Sequence, residues 1–220
     1  MVDEATPIAD RNCSFISKCG IILMKPDETT IKIYNEKTAD YRKIIKSSAE
    51  LSVEKSFASS IPVGGCVLDY GCGPGRSAGY FAELGLQTHA FDASIEMVKL
   101  AKMYTSVKVW QASFESFSAH DTYDGIWASF SLLHAPREDM PNLLKKIHSA
   151  LKAKGKLFLG LKLGTGQARD ALGRLYTYYE KEELKAVLEA AEFTWDSHIT
   201  GASEGLDGTV SNWISVLAHA

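Results

Sequence analysis

Three features of the 220-residue chain predict a doubly wound α/β fold, a mainly parallel sheet with helices on both faces. A buried apolar run meets a glycine turn and then a helical stripe at LDYGCGPGR, 68–76. Short apolar runs and segments of 3.6 period then alternate as far as 161. The last two extended runs follow one another with no helix between them. Hydrophobic residues make up 45% and charged residues 23%, the balance of a globular chain able to build a core. An irregular N-terminal tail is expected over 1–26 and one domain over 27–220.

Helical periodicity opens the domain. Ile31, Ile33, Tyr34, Ala39, Tyr41, Ile44 and Ile45 form one apolar stripe, and Leu51, Val53, Phe57 and Ala58 a second. Two helices are therefore expected within 27–60. Residues 66–69 read as a short buried strand and 74–86 as a helix stopped near Gly85. The unit repeats as a strand over 87–91, a turn with Ser94 as N-cap, and a helix over 95–103. A third strand is expected at 107–110 and a fourth at 123–130. A helix over 137–151 follows, with Leu143, Leu144, Ile147 and Leu151 on one face. The fifth strand, 156–161, starts after Gly155. Beyond a helix over 180–191, runs at 193–200 and 212–219 with a Gly-rich connection make an antiparallel pair at one sheet edge.

Charge and composition exclude several classes of function. A formal net charge of -3 argues against a chain whose main task is gripping phosphate backbones, so no nucleic-acid partner is expected. The apolar run at 20–24 is too short for a membrane span, and Asp3 and Glu4 stand where an export signal is basic. Cys13, Cys19, Cys66 and Cys72 form neither a CxxC pair nor a dense disulfide framework. A cytoplasmic protein without a membrane partner or a metal site is the expectation, as monomer or homodimer.

The glycine turn narrows the ligand. A nucleoside-triphosphate loop needs a Lys and a hydroxyl after its last glycine, and here Gly71, Gly73 and Gly75 lead to Arg76 and Ser77. In a dinucleotide loop the third glycine lets helix and strand approach, and Arg76 stands in that place. A sulfonium nucleoside has no pyrophosphate to hold. It needs bare backbone, positive-φ glycines and a carboxylate for its amino group, and Asp69 precedes the turn.

With Asp69, Tyr70, Gly71, Cys72, Gly73, Pro74 and Gly75, the chain resembles the class I S-adenosylmethionine-dependent methyltransferases, whose first motif is an acidic residue, any residue, then G-x-G-x-G. VWQASFESF at 109–117, the segment 123–163, LYTYYEKEEL and NWISVLAHA carry the likeness on over nearly all of 28–220. It is nearest to small bacterial members described as tellurite-resistance-like. The chain departs from the usual Lys-Pro-Gly-Gly turn at Lys152–Gly155, and has Gly164-Thr165-Gly166-Gln167 where many members place an acidic residue after the fifth strand.

The resemblance implies a seven-stranded sheet in the order 3-2-1-4-5-7-6 with the last strand antiparallel, S-adenosylmethionine as cofactor with S-adenosylhomocysteine as product, and a small-molecule methyl acceptor. Asp92 is then the residue for the ribose diol, as one carboxylate matches two adjacent hydroxyls. Ala112 and Ser113 border the adenine, with Phe114 packing on it; Ala93, Met97 and Ser129 complete the implied set, and Tyr34 and Tyr41 cover it from the first helix. In-line methyl transfer requires position more than a triad. The candidate catalytic residues are His134, as a base or anion ligand that titrates near neutrality, and Tyr176 and Tyr179 from an Arg174-led aromatic cluster. His134 as a plain loop histidine and the tyrosines as edge packing fit the sequence as well. A nicotinamide-dependent oxidoreductase and a non-catalytic S-adenosylmethionine-binding protein remain open alternatives.

Overall fold

The computed structural model describes residues 25–41 and 48–220. The expected tail, apart from Lys25 and Pro26, and Cys13 and Cys19 lie outside them, as do Ile44 and Ile45. The strands are β1 (Cys66–Tyr70), β2 (Gln87–Asp92), β3 (Val107–Gln111), β4 (Tyr123–Ser129), β5 (Leu151–Lys162), β6 (Gln167–Arg169), β7 (Leu175–Thr177), β8 (Thr194–Glu204) and β9 (Val210–His219). The helices are α1 (Glu28–Glu36), α2 (Thr38–Tyr41), α3 (Ser48–Ser59), α4 (Arg76–Glu83), α5 (Ile95–Ala101), α6 (Met140–Ala150) and α7 (Lys181–Ala190).

The main sheet runs β3-β2-β1-β4-β5-β9-β8. The first five strands are parallel, and β9 is antiparallel to both β5 and β8, as expected. Alternation along the strands sends side chains to two faces. On one, Trp127 and Phe158 stack with ring centroids 3.7 Å apart, against Phe57 of α3 and Phe81 of α4. On the other, Leu68, Ile126, Leu157 and Leu159 meet Leu143, Leu144 and Ile147 of α6 and Leu184 and Leu188 of α7. Among the described residues no helix is long and apolar enough to cross a membrane.

Four readings of the sequence need correction. The first apolar stripe is not one helix: α1 stops at Lys37 and α2 restarts, with the Thr38 hydroxyl donating to the carbonyls of Tyr34 and Asn35. The fifth strand begins before Gly155, because the Lys152–Gly155 turn is spliced into β5 as an irregularity with Lys154 at φ 63°, and pairing resumes at Gly125↔Lys156. The antiparallel ribbon β6–β7 was not expected at all, since strands of three residues are too short to show alternation. The helix expected over 137–151 opens as a 3-10 turn, Arg137–Asp139, before α6 takes over with Pro141 in its first turn. Ser94 is the N-cap of α5 as read, its hydroxyl accepting from the Met97 amide at 3.1 Å.

Candidate active site

The carboxyl ends of β1, β2 and β4 open onto a cavity of about 410 Å³. One end of it is built from backbone. The amides of Gly71 and Cys72 donate to the Phe91 carbonyl at 3.1 and 2.9 Å, which fastens the turn across the top of β2. Gly73 then sits at φ 51°, where a Cβ would meet nothing within 4 Å; glycine leaves that edge of the cavity bare. Its amide donates to Asp92 Oδ2 at 2.8 Å, and the Ser94 amide donates to Oδ1 at 2.8 Å. Each carboxylate oxygen keeps a second lone pair for a ligand. Burial pushes the Asp92 carboxyl up to about 6, against the pull of those two amides.

Phe114 stacks on Tyr70 with centroids 5.2 Å apart and borders the same end of the cavity. Beside it Glu115 Oε2 is buried with no hydrogen-bond partner among the described residues. A smaller cavity of about 240 Å³ continues behind the turn, sharing Gly71, Cys72, Pro74 and Ser129 and reaching Asp69, Arg76 and Trp127. Asp69 Oδ2 accepts from the Ala78 amide at 3.2 Å at the start of α4. Trp127 Nε1 is a second buried polar atom left without a partner among the described residues.

The other end is built from side chains. His134 closes the loop after β4. Its Nδ1 lies 2.6 Å from the Leu175 carbonyl, which only accepts, so Nδ1 carries the proton. Nε2 is therefore the acceptor for the Tyr34 hydroxyl, 2.6 Å away. Burial pushes the imidazole down to about 4, so the ring stays neutral; the expectation that it titrates near neutrality does not hold. Arg174 is buried, with Nε and Nη2 on Asp170 Oδ2 at 2.8 and 2.5 Å and Nη1 on the Tyr41 hydroxyl. Asp170 Oδ1 accepts the amides of Leu172 and Arg174, so one carboxylate shapes the ribbon tip and neutralises the guanidinium. Tyr34 and Tyr41, on separate helices, bring their rings to 5.1 Å.

Helix α1 ties the two ends together. Asp27 caps it through the Thr30 amide and pairs with Arg169 of β6 at 2.7 Å, which holds the Asp27 carboxyl down to about 2. The Leu175 amide donates to Thr30 Oγ1 at 2.9 Å. On the opposite side Asn35 Oδ1 accepts from the Ser94 hydroxyl at 2.6 Å.

Most of the residues singled out from sequence meet in the larger cavity: Tyr34, Tyr41, Gly71, Cys72, Gly73, Pro74, Asp92, Ala93, Ser113, Phe114, Ser129, His134 and Tyr176. Asp69 lines the smaller one. Gly75, Met97, Ala112 and Tyr179 line neither. Gly75 lets α4 approach α5, where a Cβ would lie 2.7 Å from that of Ala101; Met97 is core, and Ala112 packs against core. Tyr179 is buried beneath Arg137, whose guanidinium carbon lies 4.6 Å from the ring centroid. Sequence reading missed Glu115, Lys162 and Trp213, which also line the larger cavity. Glu115 follows Phe114 directly and was legible in the motif; the other two are joined only by the β5↔β9 register.

The same segment that builds the backbone end, residues 67–155, matches the family described as a methyltransferase domain. These residues match a methyltransferase domain over less than half of the chain. The ubiquinone biosynthesis O-methyltransferase of Xanthomonas axonopodis pv. citri is 33% identical over 105 residues, and the match covers 44% of this chain and 43% of that protein. The chain thus spans less than half the length of the curated relatives it matches. Over the whole domain the fold is similar to Burkholderia thailandensis 1,6-didemethyltoxoflavin-N1-methyltransferase, solved with 1,6-didemethyltoxoflavin and S-adenosylhomocysteine, at TM-score 0.73, 21% identity and 87% coverage of each chain. It is also similar to the [4+2]-cyclase SpnF, at TM-score 0.64, 18% identity, 80% of this chain and 83% of that one. The matched segment therefore lies in a fold that these neighbours put to more than one chemistry.

Proposed function

We propose that this chain transfers the methyl group of S-adenosylmethionine to a small-molecule acceptor. The observation that carries this is one continuous cavity with Asp92 and the bare glycine turn at one end and the Tyr34–His134–Tyr176 cluster at the other. The relatives point the same way: one is named for O-methylation in ubiquinone biosynthesis and another was solved with a heterocyclic acceptor and S-adenosylhomocysteine.

The residues present fit the nucleoside. Glu115 Oε2 is a buried acceptor in need of a donor, and the adenine amino group is one. Asp92 has a lone pair on each oxygen for the two ribose hydroxyls, and Phe114 offers a flat face for the base. In the smaller cavity Asp69 suits an ammonium, and Trp127 Nε1 donates to a carboxylate.

S-adenosylmethionine supplies an electrophilic methyl on a sulfonium whose charge is lost in an in-line displacement. The chain's part is to hold the acceptor atom on that line and keep water out. His134 has one nitrogen committed to Leu175 and the other to a hydroxyl. An acceptor hydroxyl that replaces Tyr34 at Nε2 would have its proton held by a neutral base, oriented by the backbone.

Calorimetric titration with S-adenosylmethionine, S-adenosylhomocysteine and NADH tests the proposal. Micromolar binding of the two sulfur nucleosides, about -8 kcal/mol, without binding of NADH is the expected result. Binding of NADH in their place would overturn it.

A further inference from the structure

Among the described residues the acceptor end of the cavity holds two cations, and they are not equivalent. Arg174 is already neutralised: its side chain is 3% exposed and its guanidinium lies on Asp170 and the Tyr41 hydroxyl. Lys162, the last residue of β5, lines the cavity with its Nζ 4.2 Å from the centroid of the Tyr176 ring. Among the described residues no carboxylate lies within 4 Å of that ammonium. Asp207 acts on it from further away, and Glu204 lines the same cavity from the exposed end of β8. Burial lowers the ammonium's proton affinity, and an aromatic face compensates a desolvated cation only in part.

The walls beside Lys162 are flat. Trp213 is its direct partner across the β5–β9 ladder and lies on Gly201, where a Cβ would come within 2.4 Å of the indole. Phe130, at φ 53°, lies across Gly160, with its ring 3.3 Å from where a Cβ would stand. Phe130 and Trp213 meet edge to face at 6.4 Å and line the cavity together with Tyr34 and Tyr176. An aromatic slot with one ammonium that no carboxylate among the described residues touches selects flatness and negative charge together.

We infer that the methyl acceptor is a small planar aromatic compound carrying an anionic oxygen group, and that Lys162 is its counter-charge. This rests on the methyl-transfer reading for its chemistry, though not for the binding it predicts. The test is calorimetric titration of 4-hydroxybenzoate, 3,4-dihydroxybenzoate and anthranilate, each against its primary amide, onto the protein with and without saturating S-adenosylhomocysteine. At least one acid is expected to bind tenfold or more tighter than its amide. Lys162→Met should bring that ratio close to one, with the Kd for S-adenosylhomocysteine within twofold of the parent, and Lys162→Arg should keep the preference. Absence of any acid preference in the parent protein, binding of no acid at all, or a preference that survives Lys162→Met would each overturn the inference. Failure of S-adenosylhomocysteine to bind would instead strike at the methyl-transfer reading, with the acid-to-amide ratio still readable on the protein alone.

Discussion

The two ends of the cavity are made in different ways. The Gly73–Asp92 end is fixed by strand ends, a glycine turn and four amides that would be there with almost any side chains around them. The Tyr34–Tyr176 end is a mosaic of α1, α2, the β6–β7 ribbon and the β5–β9 edge, held by side-chain bonds. Backbone makes one end tolerant of sequence change, and side chains make the other end specific. Burial treats them in opposite ways too, lifting a carboxyl at one end and depressing an imidazole at the other.

The largest effect should come from the mosaic. Asp170→Ala strands the buried Arg174 guanidinium and opens the ribbon tip, and about 3 kcal/mol of stability should be lost. Urea unfolding measures it, and a loss below about 1 kcal/mol would mean that water reaches the guanidinium. At the other end Asp92→Ala should weaken S-adenosylmethionine binding by about 2 kcal/mol, near 30-fold in Kd. Unchanged affinity in calorimetry would mean that the ribose lies elsewhere.

Acidification separates the ends by sign. Asp92 keeps its proton up to about pH 6 in the fold against 3.8 unfolded, so its contribution destabilises the fold as pH rises from 4 to 6. His134 refuses a proton until about pH 4 against 6.5 unfolded, so its contribution destabilises the fold as pH falls from 6.5 to 4. The two oppose each other, by roughly 1 kcal/mol per pH unit each. Asp92→Asn should steepen the loss of the urea midpoint below pH 6, and His134→Gln should flatten it. Superimposable profiles for all three proteins would show that neither group is buried in solution. Smallest of all, Tyr34→Phe removes the donor to Nε2, and about 1 kcal/mol should go from thermal stability while the Kd for S-adenosylmethionine stays within a few-fold.

Legibility followed the same division. LDYGCGPGR and the acidic end of β2 announce themselves because a tight turn and a diol site each need particular residues at fixed places in the chain. Tyr34, Tyr41, His134 and Tyr176 could be picked out as residues, yet not their partners. Nothing in local periodicity says that Tyr34 meets a histidine 100 residues away, or that the hydroxyl of Tyr41 faces Arg174. Tyr176 and Tyr179 looked equivalent in LYTYYEKEEL; only Thr177 and Tyr178 separate the residue at the cavity from the one in the core beneath Arg137. Lys162 stands one residue beyond the strand expected over 156–161, and only the pairing with Trp213 gives it a setting.

The ribbon at 167–177 joins the seven-stranded sheet, among the described residues, through the single bridge between Leu163 and Tyr179. Its shape is set by Asp170 within its own tip. Such a piece is a cassette: it leaves β5 and returns at α7 without entering the pairing of any strand that carries the nucleoside end. Exchange of residues 164–178 therefore changes the Tyr34–Tyr176 end of the cavity without touching the strand pairing that builds the Gly73–Asp92 end.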